Sequence, residues 1–467
     1  MPVSGARTCA VRPGAVRKIA GAELSTIIDE MAIIASPFVL PMKRCPTVSN
    51  IVSLWEPFGL RSTPFFQEEL RSGDQEHPVA LFVGRSAELD RLLRRIVSDS
   101  SSRSIIQGDP GVGKTSFINR LKANVSARGV ATYEHPIRIQ STTTSATLVA
   151  DVLRLLLRVR LASGFSRDPT GFWSRTARLL EGGEIRGGSV SAFGIGGGVS
   201  RSYISPQLSH DSLFEHLGEA LERIGGEAGH GVLIHVNNLE NLTEEAAEEA
   251  AALLRDLRDH LMLPGAHWVF AGAEGVDRIF RRFAQIDGIF PAADTLQPLE
   301  ATEIETLLAR RYKHLSIRGA QIVTPVEPEV ASRLYALYHG DLRSFLRLLA
   351  DAAERGLGLG EVKPLGVEEI IRHTAAEYAR HMKARAGATD FEHLTRIVEA
   401  SRPDYRFRVT DAAKVLGIKQ SSASQLVDRL QKSRAIKRER VEGRSVFYRP
   451  AGAMLVACGI VPGISEG

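Results

Sequence analysis

The chain has 467 residues, 43% hydrophobic and 24% charged, which excludes a disordered or collagen-like polymer and supplies apolar material for several cores. Its net charge of +5 is unevenly placed: residues 401–450 hold 13 Lys or Arg against 5 Asp or Glu, leaving the remainder net negative. No apolar run nears the roughly 20 residues of a membrane helix, so no membrane partner is expected. Three scattered cysteines (Cys9, Cys45, Cys458) form neither a zinc spacing nor a disulfide framework and fit a reducing, cytoplasmic location.

Residues 1–48 have no clear period and carry Pro2, Pro13, Pro37, Pro41 and Pro46. They read as a loose arm, unless translation starts at Met31 or Met42. Val79–Val83 reads as extended and Ser86–Val97 as a helix with Ser86 as N-cap and Leu89, Leu92, Leu93 and Ile96 on one face. Arg103–Gln107 is a strand, Gly108–Thr115 a glycine-rich turn, Ser116–Ala127 a helix and Ala131–Ile139 a second strand. Thr147–Leu161 and Thr170–Leu180 are helical. Residues 182–207 contain eight glycines and read as an inserted hairpin or ordered loop, or else as a linker. Gly231–Val236 and His267–Gly272 are apolar strands. Between them Thr243–Met262 is a helix, with Thr243 as N-cap and Glu244 and Glu245 in its first turn. Strands alternating with helices give an α/β fold, a parallel sheet with helices on both faces. Glu300–Ala384 shows only helical periods.

Gly108-Asp109-Pro110-Gly111-Val112-Gly113-Lys114-Thr115 matches the GxxxxGK(S/T) phosphate loop, set between a strand and a helix that begins at Ser116. The glycines let backbone N–H groups turn toward phosphates, and the following helix adds its positive end. Lys114 reaches the β and γ phosphates of ATP, and Thr115 ligates Mg²⁺. The partner strand of such a site usually ends in an Asp that holds the metal through water, then often a Glu that activates the attacking water. Here it ends Asn237-Asn238-Leu239-Glu240. Asn237 and Asn238 can bond a metal-bound water but carry no charge. Glu240 either substitutes as the catalytic carboxylate or merely begins the next helix. Nucleotide binding is expected; hydrolysis is an open question.

Phe82-Val83-Gly84-Arg85 with Glu88-Leu89 resembles the entry box of AAA+ ATPases near the origin-recognition and STAND groups. Gly340-Asp341-Leu342-Arg343 resembles their second sensor in a helical lid, which implies that Arg343 approaches the γ-phosphate and that Gly84 and Arg85 belong to the nucleotide site. Otherwise Arg343 is a surface arginine. Trp55–Leu60 followed by Pro64-Phe65 resembles the segment ahead of the core in ExeA-type and transposition-regulator ATPases. Two features depart from the pattern. Gly272 and Ala273 stand where a polar first sensor is usual, and Arg278, Arg281 and Arg282 are only candidates for an arginine finger.

Residues 389–456 read as three helices and a hairpin: Phe391–Ala400, Thr410–Leu416 capped by Thr410 and closed by Gly417, Lys419–Ser433, then Ala435–Val441 and Arg444–Arg449. This resembles a winged helix-turn-helix of the MarR type. The resemblance implies double-stranded DNA contacts from Lys419, Gln420, Ser421, Ser422, Ser424, Gln425 and Arg429 on the recognition helix, and from Lys437, Arg438, Arg440 and Arg444 on the wing. Winged helices also dock partner proteins, which stays open. The expected organisation is an arm (1–48), an AAA+ nucleotide-binding domain (49–299), an all-α lid (300–385) and a C-terminal winged helix (386–456). The expected function is ATP-controlled assembly, as a homo-oligomer, and DNA binding. The alternatives are a STAND-like ATP-clamped regulator and a protein-interaction scaffold with a degenerate ATPase. Replication, transposition, plasmid maintenance and defence are equally compatible contexts.

Overall fold

The computed structural model describes residues 53–165, 168–182, 210–239, 254–281, 284–358, 362–439 and 445–461. Its centre is a parallel sheet of six strands: β1 (Ser102–Gln107), β2 (Ala131–Thr132), β3 (Ile137–Arg138), β4 (Val232–Asn237), β5 (Ala266–Gly272) and β6 (Asp294–Thr295). The order across the sheet is β2-β4-β5-β1-β6, with β3 also pairing β4. Gln107 pairs with both Gly272 and Thr295, so the loop after β1 leaves from the middle of the carboxyl edge.

Period-two alternation divides the strands' side chains between two cores. Ile105, Ile234, Trp268 and Phe270 face helices α3 (Ser145–Ala162), α4 (Phe172–Gly182) and α5 (His210–Ala228). Ile106, Leu233, Val269 and Ala271 face α1 (Ser86–Ser98) and α2 (Lys114–Ser126). Burial on both faces is why these strands read as continuous apolar runs.

Four helices follow: α6 (Ala301–Leu315), α7 (Pro328–Tyr335), α8 (Leu342–Gly356) and α9 (Val367–Ala386). The remaining elements are α10 (Ala388–Ala400), α11 (Val409–Leu416), α12 (Gln420–Lys432), an antiparallel ribbon of β7 (Ile436–Arg438) and β8 (Tyr448–Pro450), and α13 (Gly452–Ala457). Phe407 adds a bridge to Tyr448. One hydrophobic core runs from Phe58, Leu60 and Phe65 through Tyr312, Phe345 and Ile370 to Phe407, Leu426, Met454 and Ile460. The region after β6 is therefore packed throughout as one body.

Several elements differ from expectation. The single strand expected over 131–139 is two short ones. Pro136 has no N–H to donate to a ladder, and Lys122 Nζ donates to the carbonyl of Glu134 (2.8 Å) inside the gap. Val79–Leu81 is a 3₁₀ turn after Pro78, not an extended segment. The N-cap of α1 is Arg85, at φ 58°, with Ser86 already helical. The N-cap of α11 is Arg408, whose amide donates to Asp411 (2.9 Å), so Thr410 lies inside the helix. Gly417 closes α11 in the left-handed conformation, as expected. The insert at 183–207, the start of the Thr243–Met262 helix, Glu240, Arg282, Arg440 and Arg444 lie outside the described residues; within 254–262 a short helix spans Arg258–Leu261.

Candidate nucleotide-binding site

The loop between β1 and α2 curls back on itself. Gly111 (φ 83°) and Gly113 (φ 98°) both occupy the left-handed region. At Gly111 the requirement is also steric, because a Cβ there would lie 2.1 Å from Asp341 Oδ1. Asp341 is the N-cap of α8 and accepts from the amide (3.1 Å) and hydroxyl (2.7 Å) of Ser344. The predicted sensor motif thus packs its aspartate onto the phosphate loop and starts the helix that carries Arg343. Lys114 Nζ donates to the carbonyls of Gly108 (2.7 Å) and Asp109 (3.2 Å), which holds its ammonium over the loop.

A cavity of about 240 Å³ opens above this loop. Its apolar wall is Leu81, Phe82, Val83, Leu299, Leu307, Leu342 and Leu346; its polar wall is Pro110–Ser116 with Arg85, Asn237, Asn238 and Arg343. A second cavity of about 640 Å³ shares Thr115, Asn237, Asn238 and Arg343 and extends past Glu68, Glu69, Asp74, His77 and Arg138. The sequence therefore located a little over half of the wall, from four motifs far apart in the chain. An apolar pocket beside a helix N-terminus with the cations Arg85, Lys114 and Arg343 in its wall suits a base joined to phosphates.

Individual placements refine the expectations. Arg85 donates to the carbonyls of Val112 (2.7 Å) and Gln297 (3.0 Å), bracing the loop from outside; burial lowers its pKa. Gly84 is packed on the carboxylate of Glu303 and is absent from the cavity wall, as are Gly108 and Asp109. Ser116 lines the cavity, but its hydroxyl accepts the amide of Leu70 (3.2 Å). Asn237 Oδ1 accepts the amide of Asn238 (2.9 Å), and Asn238 sits at φ 65°, a conformation asparagine tolerates. At the expected first-sensor position β5 ends in Gly272, and its β1 partner Gln107 is not part of the cavity wall. Gln107 donates to Thr295 Oγ1 (3.0 Å) and accepts from the amide of Gly275 (3.0 Å). Arg281 is paired with Asp277 and Asp287, whereas Arg278 is exposed.

What sequence reasoning missed is the wall formed by Gln67, Glu68 and Glu69 and its support, Arg311. The Arg311 guanidinium is buried and donates to the carbonyls of Pro64 (3.1 Å) and Phe66 (2.8 Å), 3.7 Å from the Phe66 ring centre. Desolvation lowers its pKa. Only the aromatic segment around Phe65 hinted that this stretch lies near the site.

The C-terminal candidates divide. Lys419, Gln420, Ser421, Ser422, Ser424 and Gln425 form an exposed row on α12, opposite buried Ala423, Leu426 and Val427. Arg438 is exposed as well. Arg429 is not an open cation, since it makes a bidentate pair with Asp390 (2.8 and 2.8 Å) and its partner's pKa is lowered by that bond. Lys437 turns inward, its Nζ 3.4 Å from Asp109 Oδ2 on the phosphate loop. Behind it, Arg449 contacts His339 (3.3 Å) and Glu439 (2.9 Å). Burial, then the charges of Arg449 and Lys437, push His339 down to about 4.

Among the described residues no helix is long and apolar enough to cross a membrane, and no group of three or more His, Cys, Asp or Glu is placed to hold a metal ion. Residues 81–263 match the family model described as "AAA ATPase domain". No curated protein matches the chain. Among solved structures it is similar to the Walker-type ATPase paby2304 of Pyrococcus abyssi (14% identity, 85% of this chain and all of that one, TM-score 0.49). It is also similar to the Aeropyrum pernix ORC2 protein (13%, 85% and 96%, 0.47) and to the Aeropyrum pernix ORC1 protein in complex with DNA (16%, 81% and 92%, 0.41). The family match, the phosphate loop and the parallel sheet agree: the chain is built around a nucleotide-binding AAA ATPase domain of the AAA+ P-loop fold.

Proposed function

We propose that this is a cytoplasmic ATP- and Mg²⁺-binding protein in which nucleotide state sets self-assembly and the engagement of duplex DNA by a C-terminal winged helix. The observation that carries the reading is that three regions meet on one loop. Lys114 and Thr115 face the cavity, Gly111 abuts Asp341 of the lid, and Asp109 meets Lys437 of the ribbon. Phosphates drawn to the loop would act on all three.

The residues suit magnesium. Thr115 and Asn237 offer hard oxygens beside the phosphate loop, and Mg²⁺ ordinarily keeps several waters and leans on substrate phosphates instead of a full protein cage. When bound, the ion would screen charge between the β and γ phosphates. Lys114 would neutralise the same groups and Arg343 would tie the γ-phosphate to α8. The lid is taken as 300–385, and the winged helix as 386–456, with α12 as its recognition helix.

The test is duplex-DNA binding by the full chain, followed by fluorescence anisotropy with ATP, ADP and no nucleotide. Affinities should differ by about 5- to 150-fold between nucleotide states, the usual span of an allosteric coupling, and Lys114→Ala should abolish the difference. Equal affinities in all states would overturn the coupling. A second reading, an ATP-clamped regulator, is favoured by the uncharged Asn237 and Asn238; it requires bound ATP to survive purification unhydrolysed.

A further inference from the structure

Asn237 and Asn238 leave the strand end without a carboxylate, yet one stands in the same cleft on a different part of the chain. Gln67, Glu68 and Glu69 line both cavities together with Thr115, Asn237 and Arg343. This strip is fastened along the first turns of α2. The Leu70 amide donates to Ser116 Oγ (3.2 Å), and Asn119 Nδ2 donates to the Leu70 carbonyl (2.9 Å). Ser116 is the neighbour of Thr115, so the strip runs beside the expected metal ligand.

The two glutamates are not equivalent. Glu69 is taken by Arg71 at 2.7 Å. Glu68 is exposed in the cleft, accepts only the amide of Gln67 (2.9 Å), and has no ion pair among the described residues. Arg311 lies beneath it, but its guanidinium is directed at the carbonyls of Pro64 and Phe66. It fixes the strip and feels the Glu68 charge, but makes no ion pair with it.

Building on the nucleotide reading, we propose that Glu68 replaces the missing strand-end acid: its carboxylate accepts a hydrogen bond from a water of the Mg²⁺ ion that Thr115 and the phosphates hold. A carboxylate in that shell orients the water and adds charge that an amide cannot. The origin of the residue matters too. Phe65 and Phe66 belong to the core shared with Tyr312 and Leu346, so Glu68 is held between that helical core on one side and α2 on the other. Metal affinity would then depend on where the lid stands.

The experiment is calorimetric titration of ATP into the full-length protein over a range of Mg²⁺ concentrations and in EDTA. Glu68→Gln should raise the Mg²⁺ concentration for half-maximal ATP binding by about 10- to 100-fold, the usual cost of losing an outer-shell partner. It should not weaken metal-free ATP binding, because it removes a negative charge beside the phosphates. Glu69→Gln, whose carboxylate is already on Arg71, should shift the midpoint by less than about twofold. Adding Asn237→Asp to Glu68→Gln should restore the wild-type midpoint, a rescue that a merely structural role would not give. A Glu68→Gln midpoint equal to wild type, or an equal shift from Glu69→Gln, overturns the proposal. Wild-type protein that binds no ATP at any Mg²⁺ concentration overturns the nucleotide reading itself.

Discussion

Lys114 is the one loop cation whose ammonium already spans the phosphate loop, through Gly108 and Asp109. Replacing it with alanine removes charge-assisted hydrogen bonds worth about 1.5–3 kcal/mol each to bound phosphate. Lys114→Ala should weaken ATP·Mg²⁺ binding by about 100-fold or more in equilibrium dialysis; unchanged affinity would mean that the phosphates lie elsewhere. The asparagines allow a gain-of-function test. Asn238 has φ 65°, where a glutamate would be strained by about 1–2 kcal/mol. Asn237→Asp is isosteric and keeps the acceptor for the Asn238 amide. It should tighten Mg²⁺-dependent ATP binding and speed phosphate release, measured under single-turnover conditions, if a missing charge is what limits the site. The phosphate loop was legible because its residues are contiguous and each has a local reason. Glu68, the Arg429–Asp390 pair and the Lys437–Asp109 contact were not, since each joins positions whose proximity only the fold creates.

At the scale of elements, the ribbon and the turn before α8 share a buried seam. His339 is held neutral there by burial and by Arg449 and Lys437, with its pKa near 4 against an ordinary 6.5. The unfolded chain binds the proton more readily between those values, so this contribution is intact above pH 6.5 and is lost as pH falls toward about 4. His339→Asn suits the φ of 46° at this position. Between pH 7.5 and 5 the wild type should lose up to about 2 kcal/mol more than this variant in urea unfolding; parallel losses would remove His339 from the acid response. The exposed row on α12 and the exposed Arg438 of β7 predict a division of labour. Arg438→Ala should lower the slope of log K against log salt by about 1 for all duplexes. Gln420→Ala or Gln425→Ala should cost about 1–3 kcal/mol at particular bases with the slope kept. Fluorescence anisotropy over a salt series separates these outcomes, and identical slopes for Arg438→Ala and wild type would assign the basic face to another partner. The span of helix α12 was readable from spacing alone. The broken strand at 131–139 was not, because apolar content concealed the effect of Pro136.

Over the whole described molecule, the most consequential feature is the uninterrupted core that joins the segment before the sheet to α6–α9 and to the last helix. Gly452 marks how tightly it closes: a Cβ there would lie 2.7 Å from the Tyr338 ring and 2.9 Å from the Leu337 carbonyl. Gly452→Ala should therefore cost about 1–3 kcal/mol through overpacking. Thermal unfolding followed by fluorescence checks this, and an unaltered midpoint would show the seam to be loose. The sequence suggested modules in series, because period and charge change at their borders, and it carried no sign that the borders are packed shut. For anyone building chimaeras, the unit of exchange is thus not the C-terminal hundred residues. A transplanted α12 would have to travel with α6–α11, α13 and the aromatic strip around Phe58 and Phe65, or it would arrive with an uncovered apolar flank. If α12 engages DNA as proposed, a new preference would be engineered by changing side chains on α12 rather than by trading the module.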